Sequence, residues 1–186
     1  ENGDLVSRLN YQNDKKEGFA ENYWSNGKLE SKGNYINDEK EGHWVKYYYN
    51  GQLKSEGEYK DIKSMGGFKF PAKEGHWVEY YYNGQLQSEG EYKNNDKEGH
   101  WVEYYESGQL KSEREFKNDA RVSWVEYHSN GQLGSNSKGV NGTSPWFEYH
   151  ENGNISSKHE WINDDEKYIE RYHDNGQVWI KGRFKD

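Results

Sequence analysis

The sequence predicts an all-β fold, an elongated antiparallel single-layer sheet of stacked β-hairpin repeats. Three observations predict it. Asn-Gly or a close variant recurs along the chain, at Asn2-Gly3, Asn26-Gly27, Asn50-Gly51, Asn83-Gly84, Ser107-Gly108, Asn130-Gly131, Asn152-Gly153 and Asn175-Gly176. Runs rich in Tyr, Trp and Val flank these dipeptides, and Asn-Gly between such runs is the strongest short hairpin signal. The composition agrees: of 186 residues only 30% are hydrophobic, yet 17% are aromatic, with 21 Gly and 2 Pro. A chain this polar without rings would be disordered; with them it suits strands joined by tight turns.

The elements follow in order from the spacing. Successive turn glycines lie 24, 24, 33, 24, 23, 22 and 23 residues apart. The long interval is one repeat plus a nine-residue insertion at about 62–70. Residues 1–186 therefore read as a single array of about seven to eight hairpins of 22–24 residues, degenerate after about residue 120. Polar stretches such as Lys93-Asn94-Asn95-Asp96-Lys97-Glu98-Gly99 supply the turns between hairpins.

Register follows from what recurs inside the copies. Four residues before most turn glycines stands a tyrosine (Tyr23, Tyr47, Tyr80, Tyr104, Tyr127, Tyr149, Tyr172), and two after comes Leu, Ile or Val. A type I turn with a glycine bulge sets Tyr47 opposite Leu53 and Val45 opposite Ser55. One face then carries Tyr, Val, Leu, Ser and Gly. The other carries Trp44, Tyr48, Lys54, Glu56 and Glu58, with a column of Trp44, Trp77, Trp101, Trp124 and Trp146. Small residues at Ser55 and Gly57 leave room for a ring from the neighbouring hairpin. In the second half Val122 and Ser144 replace the leading glycine and Gly139-Val140-Asn141-Gly142 replaces a strand end, which predicts a kink or loop over 134–143.

The pattern Glu-Gly-x-Trp-x-x-Tyr-Tyr-x-Asn-Gly-Gln-Leu-x-Ser-x-Gly-x-Tyr, read from Glu41, Glu74 and Glu98, resembles the MORN-repeat variant, a bacterial relative of the MORN repeat. It is most similar to the YwqK-type antitoxin family. The resemblance implies stacked hairpins, no enzymatic activity and, in some members, a role as antitoxin or immunity partner of a secreted toxin.

Charge and composition narrow the function. A net charge of -8 disfavours nucleic acid and anionic membrane and suits a basic protein partner. There is no cysteine and no apolar run long enough to span a membrane. The chain starts at Glu1 inside a repeat, as after removal of a signal peptide or trimming, and both the bacterial cytoplasm and a secreted or cell-surface location stay open. The histidine columns His43, His76, His100 and His128, His150, His173 are spread by about 10 Å per repeat. That is too wide to converge on one zinc ion, so no metal and no cofactor is expected. Glu79, Glu103, Glu126 and Glu148 read as a solvated face rather than a paired catalytic site.

The expected function is a non-catalytic protein-binding scaffold, with masking of a basic toxin as the specific form. The contact surface expected from the sequence is the insertion (Met65, Phe68, Phe70) with a neighbouring face of Trp44, Trp77, Trp101, Tyr48 and Tyr81. The alternative is a secreted or cell-surface glycan- or wall-binding module using the aromatic column. Monomer and edge-paired dimer are both compatible with the open edges of such a sheet.

Overall fold

The computed structural model describes residues 6–63, 69–138, 145–163 and 166–185. They form strands and turns, without a helix among the described residues. The chain falls into two compact units, Glu1–Lys97 and Glu98–Asp186.

The first unit holds β1 (Ser7–Arg8), β2 (Tyr11–Gln12), β3 (Lys15–Lys16), β4 (Gly18–Tyr23), β5 (Leu29–Ile36), β6 (Glu39–Tyr47), β7 (Leu53–Lys63), β8 (Lys69–Tyr80) and β9 (Leu86–Lys93). Its main sheet runs in the order β1-β4-β5-β6-β7-β8-β9, and β2 pairs with β3. The second unit begins within β10 (Asp96–Tyr104). It continues through β11 (Leu110–Lys117), β12 (Ala120–Tyr127), β13 (Leu133–Lys138), β14 (Trp146–Tyr149), β15 (Ile155–Asn163), β16 (Glu166–Tyr172) and β17 (Val178–Lys185), all paired in sequence order. Every described pairing is antiparallel, as the sequence predicts.

Two kinds of turn alternate. At the Asn-Gly hairpins the Gly51 N–H donates to Tyr48 O at 2.8 Å and the Tyr48 N–H to Gln52 O at 2.8 Å, with Gly51 at φ 93°. This is the expected turn closed by a left-handed glycine. The same pair of bonds recurs at seven turns, starting at Trp24, Tyr48, Tyr81, Tyr105, His128, His150 and His173. The opposite ends of the strands use two-residue turns with both central residues at positive φ: Asn13-Asp14, Asn37-Asp38, Asn94-Asn95 and Asn118-Asp119. Asn and Asp tolerate that region better than other side chains.

The second set of turns explains the recurring Lys-Glu-Gly. Glu17 Oε2 accepts the Asn37 N–H at 2.9 Å, Glu74 Oε2 that of Asn94 at 2.9 Å, and Glu98 Oε2 that of Asn118 at 2.8 Å. Each glutamate thus ties down the next turn of its own unit. The following glycine is left-handed, at φ 71° in Gly42 and 66° in Gly75. There the register slips by two residues, since Lys32 faces Val45 but Asn34 faces Glu41. Where Val122 replaces that glycine the slip is only one residue, from Glu115↔Ser123 to Phe116↔Arg121.

The predicted faces are overturned by one residue per hairpin. Tyr47 does face Leu53, but Lys46 faces Ser55, Val45 faces Glu56 and Trp44 faces Gly57, so Lys54 is an unpaired bulge. A bulge moves every later side chain to the other face. Trp44 therefore shares a face with Ser55, Gly57 and Tyr59, whereas Val45 and Tyr47 share one with Glu56 and Glu58.

That register builds the core of the first unit. A Cβ placed on Gly33 would lie 2.3 Å from Trp44 Cδ2, and one on Gly57 2.3 Å from Trp77 Cδ2, so each ring lies flat on a glycine of the preceding hairpin. The other side of each ring meets an ammonium group, Lys40 Nζ 4.3 Å from the Trp44 ring and Lys73 Nζ 4.3 Å from the Trp77 ring. Burial pushes both lysines below their ordinary pKa, and like charges nearby add to it. Tyr35 and Tyr59 pack edge-on against Trp44 and Trp77 at 5.0 and 5.1 Å.

The described ends of the insertion are strand: Asp61 pairs with Pro71, Ile62 with Phe70 and Lys63 with Lys69, so β7 and β8 are lengthened, while residues 64–68 lie outside the described ones. β13 pairs with β12 from Leu133 to Lys138 with a single bulge at Gly134, the position bulged in the other hairpins, and the pairing is regular from Ser135 to Lys138. The rest of the stretch expected to kink, 139–143, lies outside the described residues.

Candidate functional site

The eight residues expected at a contact surface separate into three groups. Trp44, Trp77 and Trp101 are 2%, 4% and 4% exposed. They belong to the core, because a ring clamped against glycine or a neighbouring strand cannot also face a partner. Tyr48 and Tyr81 are half-buried at the Asn-Gly turns. Phe70 is 39% exposed near the far end of β8, while Met65 and Phe68 lie outside the described residues. Phe70 and Tyr80 are ten residues apart on β8, roughly 33 Å at about 3.3 Å per residue. Phe70 and the turn tyrosines thus occupy opposite ends of the strands rather than one patch.

The residues that the sequence reading missed stand next to those it named. Tyr49 and Tyr82 are 50% and 55% exposed. Tyr82 packs edge-on against Tyr48 at 5.2 Å, and Tyr49 against Trp24 at 6.0 Å. The signal was present in the repeats, since the same turn position is Ser25, Glu106, Ser129, Glu151 or Asp174 elsewhere. A ring at a position otherwise polar is the departure to look for.

This aromatic edge is held rigidly by its own turns. Asn50 Oδ1 accepts the Gln52 N–H at 2.9 Å, closing its turn, while Asn50 Nδ2 donates to Tyr82 O at 3.1 Å in the next one. Asn26 Nδ2 reaches Tyr49 O at 2.9 Å in the same way, and the Tyr48 hydroxyl donates to Tyr80 O at 2.7 Å. In the second unit His128 and His150 take the place of Tyr48, each with Nε2 on the carbonyl of the next hairpin, at 2.9 and 3.0 Å. Those imidazoles are turn struts. His43 and His76 stand on the other face, 3.5 Å from Glu56 and Glu89.

The second unit contains a groove of about 470 Å³, lined among others by Tyr105, Lys111, Arg114, Glu126, His128 and Glu148. Arg114 occupies the position of Gly33 and Gly57. Its guanidinium bridges Glu103 Oε1 at 2.6 Å and Glu126 Oε1 at 2.9 Å. Burial pushes the Glu126 carboxyl up, but hydrogen bonds from Arg114 and Ser135 and the charges of Arg114 and Arg121 outweigh it and hold the group below its ordinary pKa. Further along, Ser157 Oγ lies 2.5 Å from Glu148 Oε2 and 2.9 Å from His159 Nε2. The hydroxyl is on a residue only 3% exposed, with its proton directed to the carboxylate, which is the geometry of packing rather than of a nucleophile.

Fold and site together define a class: an open antiparallel array of hairpin repeats that presents side chains along its turns and faces. The MORN repeat variant matches at residues 16–37, 40–61, 73–94, 97–118, 144–163 and 167–186. These segments cover more than half of the sequence, and the chain belongs to the MORN repeat variant family. Repeats of this family generally serve binding rather than catalysis. No curated protein matches the chain. Among solved structures it is similar to the crystal structure of TcdB2-TccC3, at 11% identity and TM-score 0.25, over 97% of this chain and 12% of that one. For TcdB2-TccC3-TEV the figures are 10%, 0.21, 96% and 12%. The chain thus spans about an eighth of either, and likenesses this low carry no argument about fold or function.

Proposed function

We propose that the chain is a non-catalytic protein-binding scaffold, and specifically an antitoxin- or immunity-like protein that masks a basic toxin by surface complementarity. The observation that carries the reading is the pair of exposed tyrosines, Tyr49 and Tyr82, on hydrogen-bonded turns of the first unit. Tyrosine gives a large amphipathic contact with little entropy to lose, and rigid aromatic anchors dominate interfaces. Tyr48 packs against Tyr82 and Trp24 against Tyr49. Phe70, 39% exposed near the far end of β8, is proposed as a second contact point, with Met65 and Phe68 of the insertion proposed to join it. A net charge of -8 speeds capture of a basic partner.

The test is capture from the lysate and secreted fraction of the source organism by three proteins: the whole chain, a Tyr49→Ser/Tyr82→Ser variant, and a chain lacking 62–70. The expected result is one stoichiometric basic protein, lost with the double tyrosine variant. A partner kept by both variants moves the surface elsewhere, and absence of any protein partner overturns the scaffold reading. The second reading is a secreted or cell-surface glycan-binding module. With Trp44, Trp77 and Trp101 in the core, the observation favouring it is the groove of the second unit.

A further inference from the structure

The groove beside Arg114 lies where three repeat positions change together. Lys54, Gln87 and Lys111 fill the bulge position in three copies, while the next copy has Gly134. The glycine that receives a tryptophan ring in the first unit becomes Arg114, Ser137 and His159 in successive copies. The matching groove of the first unit, lined by Tyr48, Lys54, Glu79 and Gln87, has about 180 Å³ against about 470 Å³. The larger value falls within the roughly 300–1,000 Å³ of small-ligand sites.

We propose that this groove binds a neutral saccharide of one or two sugar units. The proposal rests on the glycan reading above and places its site on residues beside the tryptophan column, Arg114 standing opposite Trp101 and Trp124, rather than on the rings themselves. Charge argues for neutrality. Lys111 and Arg114 are balanced by Glu126 and Glu148 in the lining, and Arg114 is already bound by two carboxylates. An anionic ligand meets the glutamates, and a cationic one meets Lys111 and Arg114. A sugar brings hydroxyls that donate to carboxylates and accept from ammonium groups without a net charge to match.

The polar groups are fixed before any ligand arrives. Ser135 Oγ donates to Glu126 Oε2 at 3.0 Å and Ser157 Oγ to Glu148 Oε2 at 2.5 Å, so the carboxylates lose little freedom on binding. Tyr105 and His128 wall the groove, pinned by the hydroxyl on Tyr127 O at 2.7 Å and by Nε2 on Tyr149 O at 2.9 Å. Such rings offer an apolar face to the C–H side of a sugar beside a polar tip.

The test is calorimetry of the whole chain with maltose, cellobiose and di-N-acetylchitobiose, repeated on Gly134→Gln and Glu148→Gln. Gly134→Gln restores the side chain found at Gln87. Its Cβ would meet Glu126 O at 3.2 Å, so a shift of a few tenths of an ångström accompanies it. Glu148→Gln leaves the backbone as it is and removes one charged acceptor. The expected result is micromolar-to-millimolar binding of at least one sugar, weakened roughly tenfold or more in both variants, about 1.4 kcal/mol, with thermal unfolding unchanged in Glu148→Gln. Binding that survives both variants overturns this site while the glycan reading stands. No binding of any of the three by the whole chain overturns both.

Discussion

Trp77 and Trp124 hold the same place in their repeats and are packed by different means. Trp77 is 4% exposed, laid on Gly57 with Lys73 above it and Tyr59 against its edge. Trp124 is half-buried, stands opposite Arg114 on one strand and Ser137 on the other, and has the Arg121 guanidinium 4.1 Å from its ring. The difference lies in the acceptor, not in the ring. A glycine lets an indole close on the backbone of the preceding hairpin. An arginine fills that space and needs partners of its own: Glu103 and Glu126 bind its two terminal nitrogens, while its Nε is buried without one. The first unit uses the repeat to build a core under an aromatic edge, and the second exchanges part of that core for an ionic clamp beside a groove.

The sharpest way to break this comparison is to remove the rings. Trp77→Ala is expected to cost about 3–5 kcal/mol, the range for a buried aromatic, and Trp124→Ala less than half of that, measured by urea unfolding. Equal losses end the distinction. Next come the acceptors. Gly57→Ala places a Cβ within 2.3 Å of the Trp77 ring, and overpacking of this kind costs about 1–3 kcal/mol. Ser137→Ala in the second unit goes the other way, to neutral or slightly stabilising, because Ser137 Oγ is buried without a hydrogen-bond partner.

A smaller effect separates the units by pH. The Glu126 pKa is lowered in the folded state, so its contribution is fully present above the ordinary carboxylate value and is lost as pH falls through the folded one. Unfolding midpoints between neutral pH and about pH 3 are expected to fall less steeply in Arg114→Met than in the unaltered chain; parallel profiles contradict the clamp. The smallest effect is local. Hydrogen bonding to Glu170, with burial and its charge, pushes Tyr172 up to about 12. Glu170→Gln returns its ionisation toward the ordinary tyrosine range in an ultraviolet titration.

Much of this was legible in the residues. The Asn-Gly period gave the hairpins and their left-handed glycine, and the small residue at Gly57 correctly announced a ring from the next hairpin. The faces were misread because the Lys54 bulge has no sequence signature of its own: lysine, glutamine, glycine and serine all occupy it. One unpaired residue is enough to exchange the two sides of a strand. The turn-binding role of Glu17, Glu74 and Glu98 leaves no local sequence signal, since the N–H groups that donate to them lie 20 residues later. Tyr49 and Tyr82 were visible only as departures from a polar turn position.

Backbone hydrogen exchange of the whole chain tests the central comparison most directly. Exchange slows where buried packing must open to expose an amide. The slowest amides are expected in β6, β7 and β8, around Trp44 and Trp77, with β12 and β13 around Trp124 exchanging clearly faster. Equal protection in the two sets, or slower exchange around Trp124, would contradict the claim that the glycine-seated rings of Trp44 and Trp77 are packed more tightly than the ring of Trp124 beside the arginine clamp.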